Sequence, residues 1–181
     1  ENPLLYTVSD IWKNAELNER EVYDFFGIRF INHPDMRHLF LREDWVGYPF
    51  RKDYDANPEI NPIPTENESC SVDTVSLRED AEGRIIEEKR KVFQDNDYIV
   101  NIGPQHPATH GVLRFQTALD GETIKKIDVH CGYIHRGIEK MWESMTYPQT
   151  LHLTDRLDYL SAHNNRHALC MCIEEAMQLE V

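Results

Sequence analysis

The residues best suited to chemistry lie in three places. Gly103-Pro-Gln-His-Pro-Ala-Thr-His-Gly111 holds two histidines, two prolines and two glycines in nine residues. That composition makes a stiff loop presenting imidazoles, and histidine exchanges protons near neutral pH, so His106 or His110 can donate to a bound carbonyl. The competing reading is that both rings bond the loop's own backbone. A second cluster, His130-Cys-Gly-Tyr-Ile-His135-Arg136-Gly-Ile-Glu139-Lys140, sets His135, Arg136, Glu139 and Lys140 on roughly one helical face. An always-charged Arg136 near a redox centre would favour its reduced, more negative state. As structure alone, the same residues make an exposed, ion-paired helix start. The third is Thr154-Asp155-Arg156-Leu157-Asp158-Tyr159, where an Asp155–Arg156 pair can orient the Tyr159 phenol toward a ligand. Tyr159 as a core residue with a satisfied hydroxyl is equally compatible with the spacing.

Other chemistries find less support. His163, His167 and Cys170 fall at i, i+4 and i+7, but Cys172 points elsewhere and no Cys-x-x-Cys pair exists, so no metal site is assigned. Neither Gly-x-Gly-x-x-Gly nor Gly-x-x-x-x-Gly-Lys-[Ser/Thr] occurs, and Gly-x-Ser-x-Gly is absent too. A self-sufficient nucleotide-dependent dehydrogenase or a serine hydrolase is therefore disfavoured.

The elements that must position these clusters read as an α+β chain. In the first part, Asn18 to Phe26 is expected to form a short helix capped by Asn18 and ended by Gly27, followed by a strand over Ile28–Ile31. Leu4–Val8 offers another strand, and Trp12, Trp45, Tyr48 and Phe50 are expected to anchor an extended, partly irregular segment on a larger body. From Asp53 the chain is rich in proline and acid and poor in apolar periodicity, the composition of an extended connector. Beyond it, Tyr98–Ile102 and the alternating run Val112–Leu119 read as strands. Asp120-Gly121 then turns the chain into a returning strand over Thr123–Val129, giving a small antiparallel hairpin sheet. From about Ile134 the pattern becomes helical: Leu153, Leu157 and Leu160, then Leu169, Ile173 and Ala176, present two faces to a core. The last helix is expected to run to the end of the chain.

Composition bounds the partners. The 181 residues carry 32 acidic against 19 basic side chains, a net charge of -13, which argues against nucleic-acid binding. Residues 1–97 hold 22 of those acids and 12 of the bases, so the acidic excess sits mainly in the first part. No run approaches the roughly 20 consecutive apolar residues of a membrane helix. Four unevenly spaced cysteines suit a reducing compartment better than a disulfide framework.

Several segments carry a family resemblance. Glu19-Arg-Glu-Val-Tyr-Asp-Phe-Phe-Gly-Ile28, His33-Pro-Asp-Met-Arg37 and Asp44-Trp-Val-Gly-Tyr-Pro-Phe-Arg-Lys-Asp-Tyr54 resemble the C-terminal signature of the C-type subunit of respiratory complex I. The histidine loop through Arg114, Leu119-Asp-Gly-Glu122, His135-Arg-Gly-Ile-Glu-Lys140, Thr146-Tyr147 and Asp155-Arg-Leu-Asp-Tyr159 resemble the opening of the D-type subunit. That order is similar to the fused C/D subunit of some bacteria. The resemblance divides the chain into a C-like segment over 1–54, a linker or fusion joint over 55–96, and a D-like segment over 97–181 that opens a truncated helical bundle.

The resemblance also implies a function. The D-type subunit, with the neighbouring B-type iron–sulfur subunit, forms the pocket in which quinone, the substrate, takes electrons that began on NADH, coupled to ion translocation. By motif match, His110 and Tyr159 are the ligands of the quinone headgroup, and Arg136, with His135 in its surroundings, lies beside the terminal iron–sulfur cluster. Cysteines of the B-type subunit hold that cluster, so no cofactor belongs to this chain alone. His106 only shapes its loop, and the C-like segment is a scaffold without a catalytic group. The implied partners are the other peripheral-arm subunits, above all the B-type iron–sulfur subunit and the quinone-channel membrane subunit, at the cytoplasmic side of the bacterial inner membrane. Val129 stands where the family has proline, and Cys131 where it has an aliphatic residue. The family's α/β body before this C-like segment and most of its D-type bundle are missing, so the chain reads as a fragment expected to be inactive alone, with the Asp partner of the quinone histidine beyond Val181. The alternatives are a non-catalytic assembly module, or the large subunit of a related membrane-bound hydrogenase, which would need two Cys-x-x-Cys pairs.

Overall fold

The computed structural model describes residues 3–57, 59–61, 73–107 and 111–180. The chain is α+β and divides into two compact units, Glu1–His135 and Arg136–Val181.

The first unit carries both sheets. Strands β1 (Leu4–Tyr6), β2 (Arg29–Ile31), β3 (Thr74–Glu79) and β4 (Ile85–Arg90) form one sheet in that order. β1 and β2 are parallel, as are β2 and β3, while β3 and β4 form an antiparallel hairpin from Thr74↔Arg90 to Glu79↔Ile85. Helix α1 (Ala15–Phe26) supplies the β1-to-β2 crossover that a parallel pair needs. It begins at Ala15, with Asn14 rather than Asn18 at its N-cap, and ends as expected at Gly27. The first turns of the helix are held instead by Glu19, whose carboxylate accepts from the Thr7 hydroxyl at 2.5 Å and the Val8 N–H at 2.8 Å, fastening the exit of β1. Phe25, Phe30, Ile31, Met36 and Leu77 are buried.

The reading of 55–96 as linker changes in its later part. β3 and β4 lie within it, and β3 extends the sheet of β1 and β2, so residues 74–90 belong to the first sheet. The acidic and basic residues that suppress apolar periodicity there, Arg78, Glu79, Glu87, Glu88 and Arg90, sit on strands with largely exposed faces, while Ser76 and Leu77 are buried. Residues 62–72 lie outside the described residues.

The second sheet is an antiparallel meander of β5 (Tyr98–Ile102), β6 (Arg114–Asp120) and β7 (Thr123–His130), with the expected Asp120-Gly121 turn. The register pairs Gln116 with Asp128 and Arg114 with His130, so these four polar side chains share one face. β6 is the buried centre, and Ala118 packs with Val92 and Phe93.

The second unit holds α2 (Ile138–Trp142), α3 (Tyr147–Thr154), a 3-10 turn (Tyr159–Ser161) and α4 (Ala162–Met177). Thr146 and Gln149 form a reciprocal capping box at the start of α3. The expected Leu153–Leu157–Leu160 helical face does not form. α3 stops at Thr154, and Leu157 and Leu160 are 57% and 84% exposed. α4 ends at Met177, where Gln178 adopts the left-handed conformation, rather than continuing to the last residue.

Candidate functional site

β7 leads out of the meander into Cys131-Gly-Tyr-Ile-His135, and residues 25–40 hold this exit at successive points. The first is electrostatic. Arg37, 8% exposed, donates to both Asp128 oxygens, at 2.9 and 3.0 Å, and also to Asp35, at 2.8 to 3.1 Å. Burial by itself pushes the Asp128 carboxyl up, but His130 and Arg37 outweigh it and hold that carboxyl well below the usual range. For Arg37, burial works against the cation, and the forks to Asp128 and Asp35 prevail, raising its affinity for the proton further. Asp35 follows the same balance: burial raises it, while Arg37 and Arg20 bring it below its ordinary value. His130 lies 3.3 Å from Asp128 and 3.2 Å from the Gln116 amide oxygen, so the polar face of the meander takes part in this junction.

The second hold is on the backbone. The Cys131 thiol donates to the Leu39 carbonyl at 3.4 Å, and burial pushes its pKa up, which keeps it protonated and a poor nucleophile. Gly132 adopts φ +102°, and a Cβ there would lie 2.2 Å from the Phe40 carbonyl oxygen. Only glycine permits that approach. The third hold is aromatic: His135 stacks on Phe25 and Phe40, with ring centroids 4.8 and 5.0 Å away. Phe25 in turn stacks on Phe50 at 4.3 Å. Of the expected aromatic anchors, Phe50 packs in this way and Tyr48 meets Tyr23 edge-on, whereas Trp12 is 62% exposed.

The loop that accepts the β7 exit is itself pinned. Asp24, fully buried, accepts the backbone N–H groups of Leu39, Phe40 and Leu41 at 2.7 to 3.1 Å and meets His38 Nδ1 at 2.8 Å. Arg20 donates to the carbonyls of Arg37 and His38. Between these parts lies a cleft of about 300 Å³ lined by residues 37–43, Arg20, Arg114 and residues 128–133.

The expected site residues are distributed differently. His110 lies outside the described residues. Its loop is entered by Gly103 at φ +95°, where a Cβ would come 2.2 Å from the Leu113 carbonyl oxygen, so the chain closes tightly on a glycine there. His106 is exposed. His135 belongs to the first unit and Arg136 opens the second. Both precede α2, which starts only at Ile138, so the shared helical face expected for His135, Arg136, Glu139 and Lys140 does not exist. Tyr159 is half-exposed and opens the 3-10 turn, where Asp158 caps by accepting the Leu160 N–H. Asp155 pairs with Arg166 of α4 rather than with Arg156, because α3 has ended and the chain turns back. The structure thus brings His135 against Phe25 and Phe40, and places Arg136 and Tyr159 on separate turns of the second unit.

Asp24, Arg37, Asp128 and Arg166 are the residues that sequence reasoning does not single out. The first three carry one signal, charged residues inside apolar or strand patterns, but nothing local in the sequence says that residue 37 meets residue 128. Among the described residues no group of three His, Cys, Asp or Glu is arranged to hold a metal ion, and no helix is long and apolar enough to cross a membrane.

Comparison with known proteins assigns the chain. Residues 1–59 match the profile of the family described as the respiratory-chain NADH dehydrogenase 30 kDa subunit. The whole chain is 67% identical to a part of the NADH-quinone oxidoreductase C/D subunit from Phocaeicola vulgatus, covering 34% of that protein. It is 62% identical over its whole length to the Bacteroides fragilis protein of the same name, again covering 34% of it. Against the Bdellovibrio bacteriovorus protein, which also bears that name, identity is 37% over 97% of the chain and 29% of the relative. The chain spans about a third of the length of the first two of these relatives, and it belongs to the family of fused NADH-quinone oxidoreductase C/D subunits.

Proposed function

We propose that this chain works within the peripheral arm of an NADH:quinone oxidoreductase, with 1–54 as a C-like scaffold and 97–181 as the D-like part of the quinone site. The observation that carries this reading is the 67% identity across all 181 residues to a protein named for that activity. Reducing a quinone to a quinol takes two electrons and two protons. Tyr159 and His110 hydrogen-bond the two carbonyl oxygens of the headgroup and donate protons as negative charge arrives there. The half-exposed position of Tyr159 on a short turn leaves its ring available for that contact.

The electrons come from an iron–sulfur cluster held by the neighbouring B-type subunit. The lack of a metal-ligating group among the described residues of this chain is compatible with that division of labour. Arg136, exposed at the start of the second unit, supplies a permanent cation that favours the reduced state of a nearby redox group. His135 adjoins it. The partners in this reading are the B-type iron–sulfur subunit and the quinone-channel membrane subunit, and the whole assembly sits peripherally at the cytoplasmic side of the inner membrane.

The test is Tyr159→Phe in the full-length protein, assayed in membranes for NADH-dependent reduction of quinone and, separately, of ferricyanide, which accepts electrons upstream. Phe keeps the ring and removes only the hydroxyl. Quinone reduction is expected to fall about 10-fold or more, the lower range for losing a positioned proton donor, with ferricyanide reduction intact. If both rates stay normal, the phenol has no role at the quinone; if both fall together, its role lies in assembly.

A further inference from the structure

The C-like segment contributes more than bulk. Within eight residues, from Asp128 to His135, the β7 exit is fixed to residues 25–40 by three different physical means. These are the Arg37 fork on Asp128, the glycine-only approach of Gly132 to the Phe40 carbonyl, and the stacking of His135 on Phe25 and Phe40. Each acts on a different degree of freedom. The fork fixes the position of the strand, the Gly132 contact fixes the path of the backbone, and the stack fixes the orientation of the last ring before Arg136. Phe40 takes part twice, through its carbonyl and its ring, and its own loop is immobilised by the three N–H bonds to Asp24.

We propose that Phe25 and Phe40 are positioning residues for the quinone site: acting through His135, they set where the β7 exit delivers the chain into Arg136. This rests on the quinone-site reading given above. A template of rigid aromatic rings suits the task, because offset stacking has a defined geometry that an aliphatic side chain does not reproduce. The consequence is that one segment of a fused chain tunes a site built by the other, without touching substrate.

The experiment uses the full-length protein in assembled membranes. Phe40→Ala removes one ring of the stack, Phe40→Leu keeps apolar volume without a flat face, and Phe40→Tyr keeps the ring. Phe25→Leu removes the other flat face that His135 meets. The expected result is a fall in kcat/KM for quinone of about tenfold or more for Phe40→Ala, since ångström-scale misplacement alone costs that much. Phe40→Leu and Phe25→Leu are expected to show a smaller loss of the same kind, and Phe40→Tyr to restore most of the activity. Ferricyanide reduction should remain at its normal level in all four. Normal quinone kinetics in Phe40→Leu and Phe25→Leu would overturn the proposal, as would parallel loss of both activities that Phe40→Tyr does not restore. Tyr159→Phe, measured beside them, separates the two claims. Selective quinone loss in Tyr159→Phe but not in the Phe40 and Phe25 variants removes the positioning role and keeps the site. Selective loss only in the Phe40 and Phe25 variants keeps the positioning role and removes the Tyr159 assignment.

Discussion

The two compact units are held together internally in opposite ways. In the first, buried charge is abundant and answered by directional partners: Arg37 by Asp35 and Asp128, Asp24 by three backbone N–H groups and His38, Glu19 by Thr7 and Val8. In the second, the buried residues are Thr150 and Thr154, both bonding carbonyls of their own helix, and no apolar residue among the described ones is buried. Tyr147, Leu157, Leu160 and Met177 are all more than half exposed there. The difference shows where specificity comes from in each case. Directional bonds between residues far apart in sequence define the first unit, whereas local helix capping and the Asp155–Arg166 pair define the second.

Substitutions can break that contrast. The largest effect is expected for Arg37→Met in the intact protein, which takes from Asp35 and Asp128 the cation they share and should cost about 3–5 kcal/mol in denaturant unfolding. Asp128→Asn should cost less, since Arg37 keeps Asp35, and its cost should depend on pH. The Asp128 carboxyl is depressed in the folded state, so it stabilises fully above the unfolded value of about 4 and progressively loses that contribution as pH falls toward the folded value. The difference between wild type and Asp128→Asn should therefore be greatest near neutrality and shrink below about pH 4; a difference independent of pH would mean the pair is not ionised. Gly132→Ala, at φ +102° against the Phe40 carbonyl, should cost about 1–3 kcal/mol of strain, read as a lowered unfolding midpoint. At the other extreme, Leu160→Ser in the second unit should change stability by no more than about 0.5 kcal/mol, because that side chain is 84% exposed.

The same contrast explains how much is legible in the sequence. Elements with local signatures are readable from it: Gly27 ending α1, Asp120-Gly121 turning β6 into β7, the strand at Tyr98–Ile102. The β3–β4 hairpin escapes such a reading because its faces are mostly solvated, so its residues follow no period-two pattern of burial. The leucine spacing at 153, 157 and 160 suggests one helix, but the chain leaves α3 at Thr154 and the spacing spans a turn. In the candidate site, His135, Arg136 and Tyr159 stand out individually, yet the partners that decide their setting do not. Phe25 and Phe40 lie more than ninety residues from His135, Arg37 is about as far from Asp128, and Asp155 chooses Arg166 over its neighbour Arg156. Such pairings depend on the tertiary path, which periodicity does not encode.

The join between the C-like segment and the β7 exit is tested most directly by a double-mutant cycle on Arg37→Met and Asp128→Asn, measured by denaturant unfolding of the intact protein near neutral pH. Contact predicts strong non-additivity, a coupling of about 1–3 kcal/mol, with the double variant far less damaged than the sum of the singles. Effects that simply add, within about 0.5 kcal/mol, would contradict the junction on which the positioning of His135 depends.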